Sequence, residues 1–431
     1  MAQVLNIANA DFERGFADLL AMTRGGGDDV SGAVGEIIRD VRADGLAAVS
    51  RLTRQFDEFD LNAETLAFTE ADIDAAMDAV DPEIIKALEV AAARIRAYHE
   101  KQRPDDLSYT DEAGVRLGWR WNAVDAAGLY APGGRAAYPS SVLMNAIPAK
   151  VAGVTRLAIV TPTPGGEVNP AVLAAARIAG VTEIYRIGGA QAIAALAFGA
   201  DAIAPVDVIV GPGNAYVAEA KRQVFGHVGI DSVAGPSEIL VVADGLNNPD
   251  WIAADLLSQA EHDPSSQSIL ITDDAAFADK VAKSAAAQIA ASPRRDVTHA
   301  AWSRNSAIVI VGDLIGEAPP LVDRVAPEHL ELAVADPDAL LGRIRHAGAI
   351  FLGRHTPEAI GDYVAGPDHV LPTAGGARFA SGLSVLDFMK RTSIVGCSAD
   401  SLAAIGPYAA RLADAEGLPA HAHSIRVRLK D

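Results

Sequence analysis

The sequence of 431 residues contains one cysteine, Cys397. A single cysteine cannot form an internal disulfide or a zinc site built from several thiolates, so a bound metal must use His, Asp, Glu or amide oxygen. Basic residues are also scarce, with 36 Lys and Arg against 56 Asp and Glu and a formal net charge of −20. This balance argues against nucleic acids and anionic membranes as partners.

Long apolar runs are absent as well. The most apolar stretch, 190–210, is rich in alanine and is interrupted by Asp201, Pro205 and Asp207, which makes it too short to span a membrane. The first six residues lack a basic region followed by an apolar one, so we expect no secretion signal. With its single cysteine, the sequence therefore predicts a soluble, cytoplasmic protein.

The length and composition favour two or three folded domains. At about 150 residues per domain the chain is long enough for this number, and 50% hydrophobic residues allow each domain a core. The first hundred residues are predicted to be helical, most clearly over 82–102, where apolar residues recur on one stripe. The last fifty residues are too few to bury a core alone and should pack on the main body or on another subunit.

From residue 126 onward, short β-rich runs alternate with alanine-rich helical runs, a pattern typical of βαβ units and parallel sheets. Two successive series occur, which predicts two α/β modules. The first has predicted strands at 157–161, 183–187 and 207–210 and helices at 170–179 and 191–198. The second has predicted strands at 238–242, 268–272, 307–311 and 349–352 and a helix at 250–262.

Three glycine-rich loops follow predicted strands in the first module: 128–141 (GLYAPGGRAAYPSS), 187–191 (IGGAQ) and 210–216 (VGPGNAY). Loops at the carboxyl ends of parallel strands bind ligands in α/β proteins, and glycines let backbone amides approach a phosphate closely. The last two lack the dinucleotide fingerprint, because a third glycine is missing and no acidic residue lies suitably downstream for a ribose. Ordinary turns are the alternative.

A second set of residues has the chemistry of a zinc site. Gln259 and His262 lie three apart in a predicted helix and so project from one face. Asp362 could add an oxygen ligand, and either His421 or His423 could add an imidazole; these two lie two apart, so only one is expected to bind. Imidazole with carboxylate and amide oxygen suits zinc. The alternative is a capped or solvated helical histidine.

The segment 325–331 (VAPEHLE) places Glu328 beside His329. At a loop or a helix start both side chains can point into a cleft, where they offer acceptors for two different proton transfers. The alternative is a solvent-facing helix start with a favourable Glu. Cys397 could serve as a nucleophile in aldehyde oxidation, but apolar neighbours and the lack of a nearby base predict a buried, inert thiol.

Taken in order, these segments resemble the motifs of the histidinol dehydrogenase family over nearly the whole chain. The ordered set is more specific than any single motif. It comprises 128–130 (GLY), 132–134 (PGG), 188–191 (GGAQ), 211–214 (GPGN), 234–238 (AGPSE), 259–262 (QAEH), 327–329 (PEH), 361–362 (GD), 369–372 (HVLP) and 416–421 (EGLPAH).

With the strand pattern, the resemblance implies two Rossmann-like parallel-sheet modules, an N-terminal helical segment and a small C-terminal segment packed on the partner subunit. We expect residues 1–127 with 237–381 to form the first α/β domain with the N-terminal helices. Residues 128–236 would form the second α/β domain, on the NAD side, and 382–431 would cross to the partner of a homodimer.

The resemblance also implies an enzyme of histidine biosynthesis with NAD and one zinc ion per subunit, which oxidises L-histidinol to L-histidinal and then to L-histidine. Glu416 and His421 would complete the neighbour's site, so the active sites are shared. The implied residues are Tyr130, Gln191 and Asn214 for NAD; Gln259, His262, Asp362 and His421 for zinc; Ser237, Gln259, His262, His329, Asp362, His369, Glu416 and His421 for the substrate; and Glu328 and His329 for proton transfer.

Three alternatives remain open at this point. A relative on the same scaffold could oxidise another primary alcohol, such as a hydroxylated sulfonate, but Glu416 favours a cationic amine. A zinc hydrolase could use Glu328 to activate water without a nucleotide, but it leaves the glycine loops unexplained. A non-catalytic metal-binding protein has no use for the adjacent Glu328 and His329.

Overall fold

The structure, a computed structural model, describes residues 2–24, 29–133, 138–233 and 235–429. Residues 134–137 of the first glycine loop and Ala234 of the 234–238 motif lie outside the described residues. The strands are β1 (Gln3–Asn6), β2 (Leu107–Thr110), β3 (Arg116–Ala123), β4 (Ala126–Tyr130), β5 (Arg156–Val160), β6 (Glu183–Tyr185), β7 (Val208–Val210), β8 (Gly229–Ile230), β9 (Glu238–Ala243), β10 (Gln267–Thr272), β11 (Ala307–Ile310), β12 (His329–Ala333), β13 (Ala349–Leu352) and β14 (Met389–Gly396).

Helices cover much of the remaining chain. They are α1 (Phe12–Arg24), α2 (Ser31–Asp44), α3 (Leu46–Asp57), α4 (Glu70–Ala79), α5 (Pro82–His99), α6 (Pro139–Ala152), α7 (Pro170–Ala179), α8 (Gly189–Phe198), α9 (Ala215–Val224), α10 (Pro249–Ala260), α11 (Ala275–Ala291), α12 (Arg295–Arg304), α13 (Leu314–Val325), α14 (Pro337–Leu341), α15 (Ala359–Tyr363), α16 (Ala399–Ala415) and α17 (Pro419–Arg426). In the described part of the chain, none of these is long and apolar enough to cross a bilayer.

Two parallel sheets confirm the predicted α/β modules. The larger sheet has the strand order β1-β11-β10-β9-β12-β13, and the second has β6-β5-β4-β7-β8. In each sheet the strand that comes first in the sequence, β9 or β4, lies at the centre when β1 is set aside. The next two strands in sequence lie on one side of it and the last two on the other, as in nucleotide-binding folds. The central strands β4, β9 and β12 are buried throughout, as parallel strands covered by helices on both faces should be.

Two elements depart from the expected pattern. The N-terminal hundred residues were predicted to be helical, but β1 pairs with β11 at the edge of the larger sheet. His329 opens a buried strand, β12, instead of a loop or helix start. Because β12 carries polar side chains at two of its five positions, its sequence does not show the apolar run by which a central strand is predicted.

The N-terminal helices also pack differently from the predicted grouping of 1–127 with 237–381. Helices α2 to α5 contact helices α6 to α9 of the second sheet. Val34, Ile37 and Leu52 lie in one core cluster of that sheet, and Ile95 lies in the other. Of the N-terminal elements that the structure describes, β1 and α1 alone join the larger sheet's core. The domain boundaries themselves remain a prediction.

The C-terminal segment begins on the main body. β14 pairs antiparallel with β3, and β2 completes this third sheet. Beyond it, α16 and α17 pack on each other through a small cluster containing Ala410, Ala413 and Ala422. Cys397, directly after β14, is exposed, so the prediction of a buried thiol is wrong. That the two helices reach a partner subunit stays a prediction.

Phe388 tests the core beneath the second sheet. Its side chain is fully buried in the same cluster as Ile95. We expect Phe388→Ala to lower the free energy of unfolding by about 3–5 kcal/mol, because the change removes buried apolar contacts and leaves a cavity. Urea denaturation measures this effect. Phe379→Ala is the matched control, since Phe379 is 82% exposed, and an equal loss there would contradict the assignment.

Candidate active site

Opposite edges of the two sheets meet at the candidate site. Tyr130 ends β4 and Asn214 follows β7, so both lie at the carboxyl edge of the second sheet. Ser237 immediately precedes β9 and His329 opens β12, so these lie at the amino edge of the larger sheet. Ligand-binding loops are expected at the carboxyl ends of parallel strands, and of these two groups only the glycine loops lie there. Only the packing of one module on the other brings the second group to the first.

Two adjoining cavities occupy this region. The glycine-loop cavity has a volume of about 540 Å³ and includes Tyr130, Gln191 and Asn214 in its lining. The histidine cavity has a volume of about 300 Å³, and both cavities share Pro132, Gly213 and Asn214 as walls. The candidate site residues that line the histidine cavity are Asn214, Ser237, Gln259, His262, Glu328, His329, Asp362 and His369.

The polar groups of the glycine-loop cavity are held in defined positions. The hydroxyl of Tyr130 accepts a hydrogen bond of 3.0 Å from the backbone N–H of Gly189, and burial raises the pKa of Tyr130 to about 12. Gln191 is buried, and its Oε1 has no hydrogen-bond partner. The Oδ1 of Asn214 caps α9 by accepting from Tyr216 and Val217, which leaves its amide N–H groups for a ligand.

A buried ion pair fixes the loop between the two cavities. Lys221 and Asp231 pair in the interior. The Lys221 ammonium donates to the carbonyl of Gly211 at 3.0 Å, and the N–H of Gly211 donates to Asp231 at 2.8 Å. Gly211 has φ +113°, and a Cβ there would lie 2.3 Å from the Tyr130 carbonyl oxygen. The loop that carries Asn214 is thus held against β4.

Glu328 and His329 are buried and line the histidine cavity. The His329 Nδ1 lies 3.0 Å from the carbonyl oxygen of Glu238 on the neighbouring strand β9. A carbonyl oxygen only accepts, so Nδ1 carries the hydrogen and Nε2 keeps the lone pair. Glu328 accepts from the Glu238 N–H at 2.9 Å, and its Oε2 lies 3.6 Å from Nδ1. Backbone groups of one strand therefore orient both candidate proton acceptors.

Burial shifts the pKa of both groups toward their neutral forms. The pKa of Glu328 is well above its ordinary value, first because of desolvation and then because the carboxyl groups of Glu238, Asp362 and Glu358 lie nearby. Desolvation lowers the pKa of His329, although Asp362 opposes this shift. A neutral imidazole can accept a proton. Perturbed groups that share a cavity are typical of catalytic sites.

The predicted zinc ligands of one chain meet in the same cavity. Asn248 caps α10, whose last turn carries Gln259. The helix ends at Ala260, so His262 lies in the following turn, its N–H bonded to the Gln259 carbonyl. Gln259 is buried with no partner for its Oε1, and Asp362 projects from α15. An unpartnered amide oxygen, an imidazole and a carboxylate in a cavity rich in carboxyl groups fit a divalent cation.

His369 and Ser237 complete the cavity wall. The His369 Nδ1 lies 3.1 Å from the carbonyl oxygen of Asp362, and its Nε2 lies 3.1 Å from the hydroxyl of Ser141. These contacts fix the imidazole beside the candidate cation ligand Asp362. Ser237 has a half-buried side chain directly before β9.

Sequence reasoning missed Glu358 and Glu331. Within the described residues, His329, Glu358 and Asp362 can bring one ligand atom each within 4.8 Å of one another. The Glu358 Oε1 lies 3.6 Å from the His329 Nε2, and neither atom has a hydrogen-bond partner. The spacing of four between Glu358 and Asp362 was a signal that both share a helix face. Glu331 lies two residues after His329 and so on the same face of β12.

Glu331 gives the fold a measurable pH dependence. Burial, followed by the neighbouring Asp255 and Glu358, raises the pKa of Glu331 to about 9. Between the ordinary value of 4.5 and about 9, the folded chain keeps this proton and the unfolded chain releases it. The free energy of unfolding therefore falls as pH rises through this window. We expect Glu331→Gln to flatten the decline between pH 6 and 9 in urea titrations.

The control for this measurement is Glu89→Gln, at an exposed glutamate of α5. It should leave the pH profile of the wild-type chain unchanged. A Glu331→Gln profile as steep as that of the control would show that Glu331 does not hold its proton in the folded chain.

The structure does not bring Glu416 and His421 to this cavity. Glu416 follows α16 and His421 lies on α17, and both are exposed. They do not appear among the described residues that line the histidine cavity. Their predicted part in the site depends on a second subunit.

Comparisons with known proteins agree on one family. The model of the family described as histidinol dehydrogenase matches residues 22–429. Histidinol dehydrogenase of Rhodospirillum rubrum is 63% identical over 425 residues, covering 99% of this chain and 98% of the relative. That of Ruegeria pomeroyi is 61% identical over 429 residues, covering 100% and 99%. The crystal structure of histidinol dehydrogenase from Elizabethkingia anophelis superposes with a TM-score of 0.94 at 34% identity, covering 100% and 98%.

Proposed function

Because the chain belongs to the histidinol dehydrogenase family, we propose that it oxidises L-histidinol to L-histidine through L-histidinal, as the last steps of histidine biosynthesis. NAD would accept the two hydrides, and one zinc ion per subunit would hold the substrate. The family assignment contradicts the alternatives of a zinc hydrolase and of a non-catalytic metal-binding protein. The observation that carries the proposal is the oriented Glu328–His329 pair between the glycine-loop cavity and the predicted zinc ligands.

The glycine-loop cavity would bind NAD. Its amide and phenol groups, Gln191, Asn214 and Tyr130, offer donors and acceptors without positive charge. The unpartnered Oε1 of Gln191 favours a ligand with a hydrogen-bond donor at that place. When bound, NAD supplies the hydride acceptor. The shared wall at Gly213 and Asn214 would then place a nucleotide next to the histidine cavity.

The histidine cavity would hold histidinol and zinc. Gln259, His262 and Asp362, with His421 of the second subunit, would be the ligands, and Ser237, His369 and Glu416 would contact the substrate. When bound, zinc would hold the imidazole and amine of the substrate and supply positive charge that favours the ionised form of Glu328. Orienting the reacting carbon in this way can contribute on the order of 7–11 kcal/mol at best.

His329 would take the proton in the alcohol oxidation. The hydroxyl of histidinol must lose its proton as the carbon gives up a hydride. The Nε2 of His329 is the free acceptor, because Nδ1 donates to the Glu238 carbonyl. A neutral imidazole with this fixed tautomer can accept that proton near pH 7.

Glu328 would act in the second oxidation. The aldehyde must first be hydrated, and the carboxylate of Glu328 would deprotonate the attacking water. The resulting gem-diol is then oxidised like the first alcohol, with His329 again accepting a proton. No covalent thiol adduct is required, which agrees with the position of Cys397 outside the described lining of both cavities.

The same geometry supports a homodimer with shared sites. A third cavity, of about 880 Å³, borders His329, Asp362 and His369. It leaves space beside the predicted ligands for a segment of a second subunit. Glu416 and His421 lie on an exposed C-terminal part of the chain. We therefore propose that each C-terminal segment completes the partner's site.

An anaerobic assay with L-histidinol and NAD tests the proposed function. We expect about two NADH per substrate consumed, because each oxidation transfers one hydride. Removal of the metal by a chelator should abolish the activity, and zinc should restore it. One NADH per substrate, with accumulation of the aldehyde, would contradict the second step. A parallel assay with a hydroxylated sulfonate in place of histidinol should give no NADH.

A further inference from the structure

One carboxyl group in the glycine-loop cavity has no place in the proposed reaction. Asp57, the last residue of α3, lines this cavity together with the glycine loops. It is the single carboxyl group among the described lining residues, and they include no Lys, Arg or His. Besides burial, the charge of Asp57 raises the pKa of Tyr130. Asp57 therefore lies close to a residue that is expected to contact the nucleotide.

The Asp57 carboxyl group is incompletely paired. Burial raises the pKa of Asp57, and the nearby backbone N–H of Thr163 opposes that shift. The Oδ2 of Asp57 is buried and has no hydrogen-bond partner. A carboxylate retains acceptor capacity on both oxygens, so a buried oxygen without a donor is suited to a hydroxyl group of a ligand.

This position does not stabilise the helix. The C-terminal end of a helix disfavours negative charge, and partial burial adds a desolvation cost, which raises the pKa of Asp57. A neutral amide at this position would not have these costs. A ligand that donates to the carboxylate would offset them.

We propose that Asp57 binds the ribose diol of the adenosine half of the nucleotide and makes the enzyme select NAD over NADP. The inference rests on the proposed function, since it assigns a specificity residue to the same nucleotide. A carboxylate accepts hydrogen bonds from the ribose hydroxyls and repels a 2′-phosphate. The described lining offers no cationic side chain to bind that phosphate. In Rossmann folds the acidic residue that binds the ribose follows the glycine loop in sequence. Here Asp57 precedes all three glycine loops.

Asp57→Asn tests this assignment, because Asn keeps the shape of the side chain and one acceptor oxygen but removes the charge. We measure kcat/KM for NAD and NADP with histidinol, and the dissociation constants of NADH and NADPH by fluorescence. We expect the preference for NAD over NADP to fall about tenfold to a hundredfold, because the variant loses one hydrogen bond to a charged group. The kcat with NAD should change little. The matched control is Asp60→Asn, since Asp60 is exposed and pairs with Arg54.

The possible failures are distinguishable. If the wild-type protein oxidises histidinol with neither nucleotide, the proposed function is wrong and the inference fails with it. If the wild-type protein uses NAD but Asp57→Asn weakens NADH and NADPH equally, Asp57 only supports the fold and the inference alone is overturned. Should Asp57→Asn give too little turnover, the two dissociation constants decide the question without catalysis.

Discussion

Replacement of Glu328 by Gln is expected to slow oxidation of histidinal by about 10²–10⁴-fold, the usual contribution of a general base. Oxidation of histidinol to histidinal should change only a few-fold. The amide oxygen of Gln can still accept from the Glu238 N–H, so the geometry survives. The amide cannot take a proton from water, and the hydration of the aldehyde should therefore fail.

The measurement separates the two half-reactions. Single-turnover NADH formation from histidinol reports the first step, and NADH formation from added histidinal reports the second. His329→Asn is the contrast, because His329 is proposed to accept a proton in both oxidations, and it should slow both. Equal losses in both steps for Glu328→Gln would show that the two acceptors do not divide the work in this way.

Mixing two inactive variants is expected to restore activity if the sites are shared. His262→Asn and His421→Asn should each lose zinc and activity as homodimers, because imidazole ligands cannot be replaced by a carboxamide of different reach. In a heterodimer, the unmutated His262 of one chain meets the unmutated His421 of the other. Random exchange should then give about one quarter of the wild-type sites, in both zinc content and activity.

The control is a mixture of His262→Asn with Gln259→Ala. Both changes lie on the same side of the proposed interface, so every site in that mixture lacks a ligand. Differently tagged chains verify that subunits exchange. Exchange without recovery of zinc in the first mixture would refute a site completed by the C-terminal segment.

Much of the parallel architecture could be predicted from local sequence. Runs such as 157–161 and 238–242 are β-branched and apolar, and turn residues bound them, so each predicts a buried strand. The structure confirms them as β5 and β9; β5 begins and ends one residue earlier than predicted, and β9 ends one residue later. The helix at 170–179 is confirmed as α7, capped by Asn169 with Pro170 in its first turn. Such signals depend on neighbours within a few residues.

Other features had no local signal. β12 carries His329 and Glu331 in a buried strand, because β9 and β13 pair with it on both sides. Asp57 lies about seventy residues before the first glycine loop. The dinucleotide fingerprint places its acidic residue after the loop, so it could not identify Asp57. Cys397 has apolar neighbours in sequence, yet the strand before it lies largely exposed on β3.

The sequence by itself determined most strands of the two parallel sheets, the glycine loops and the order of the motifs, because these follow from backbone preferences and side-chain periodicity over short stretches. The tertiary structure decided which edges of the two sheets face each other. Only that packing places His329 and Gln259 beside Asn214 and brings Asp57 from α3 to the glycine loops. Such contacts join residues far apart in sequence, and the burial of apolar surface between helices and sheets selects them.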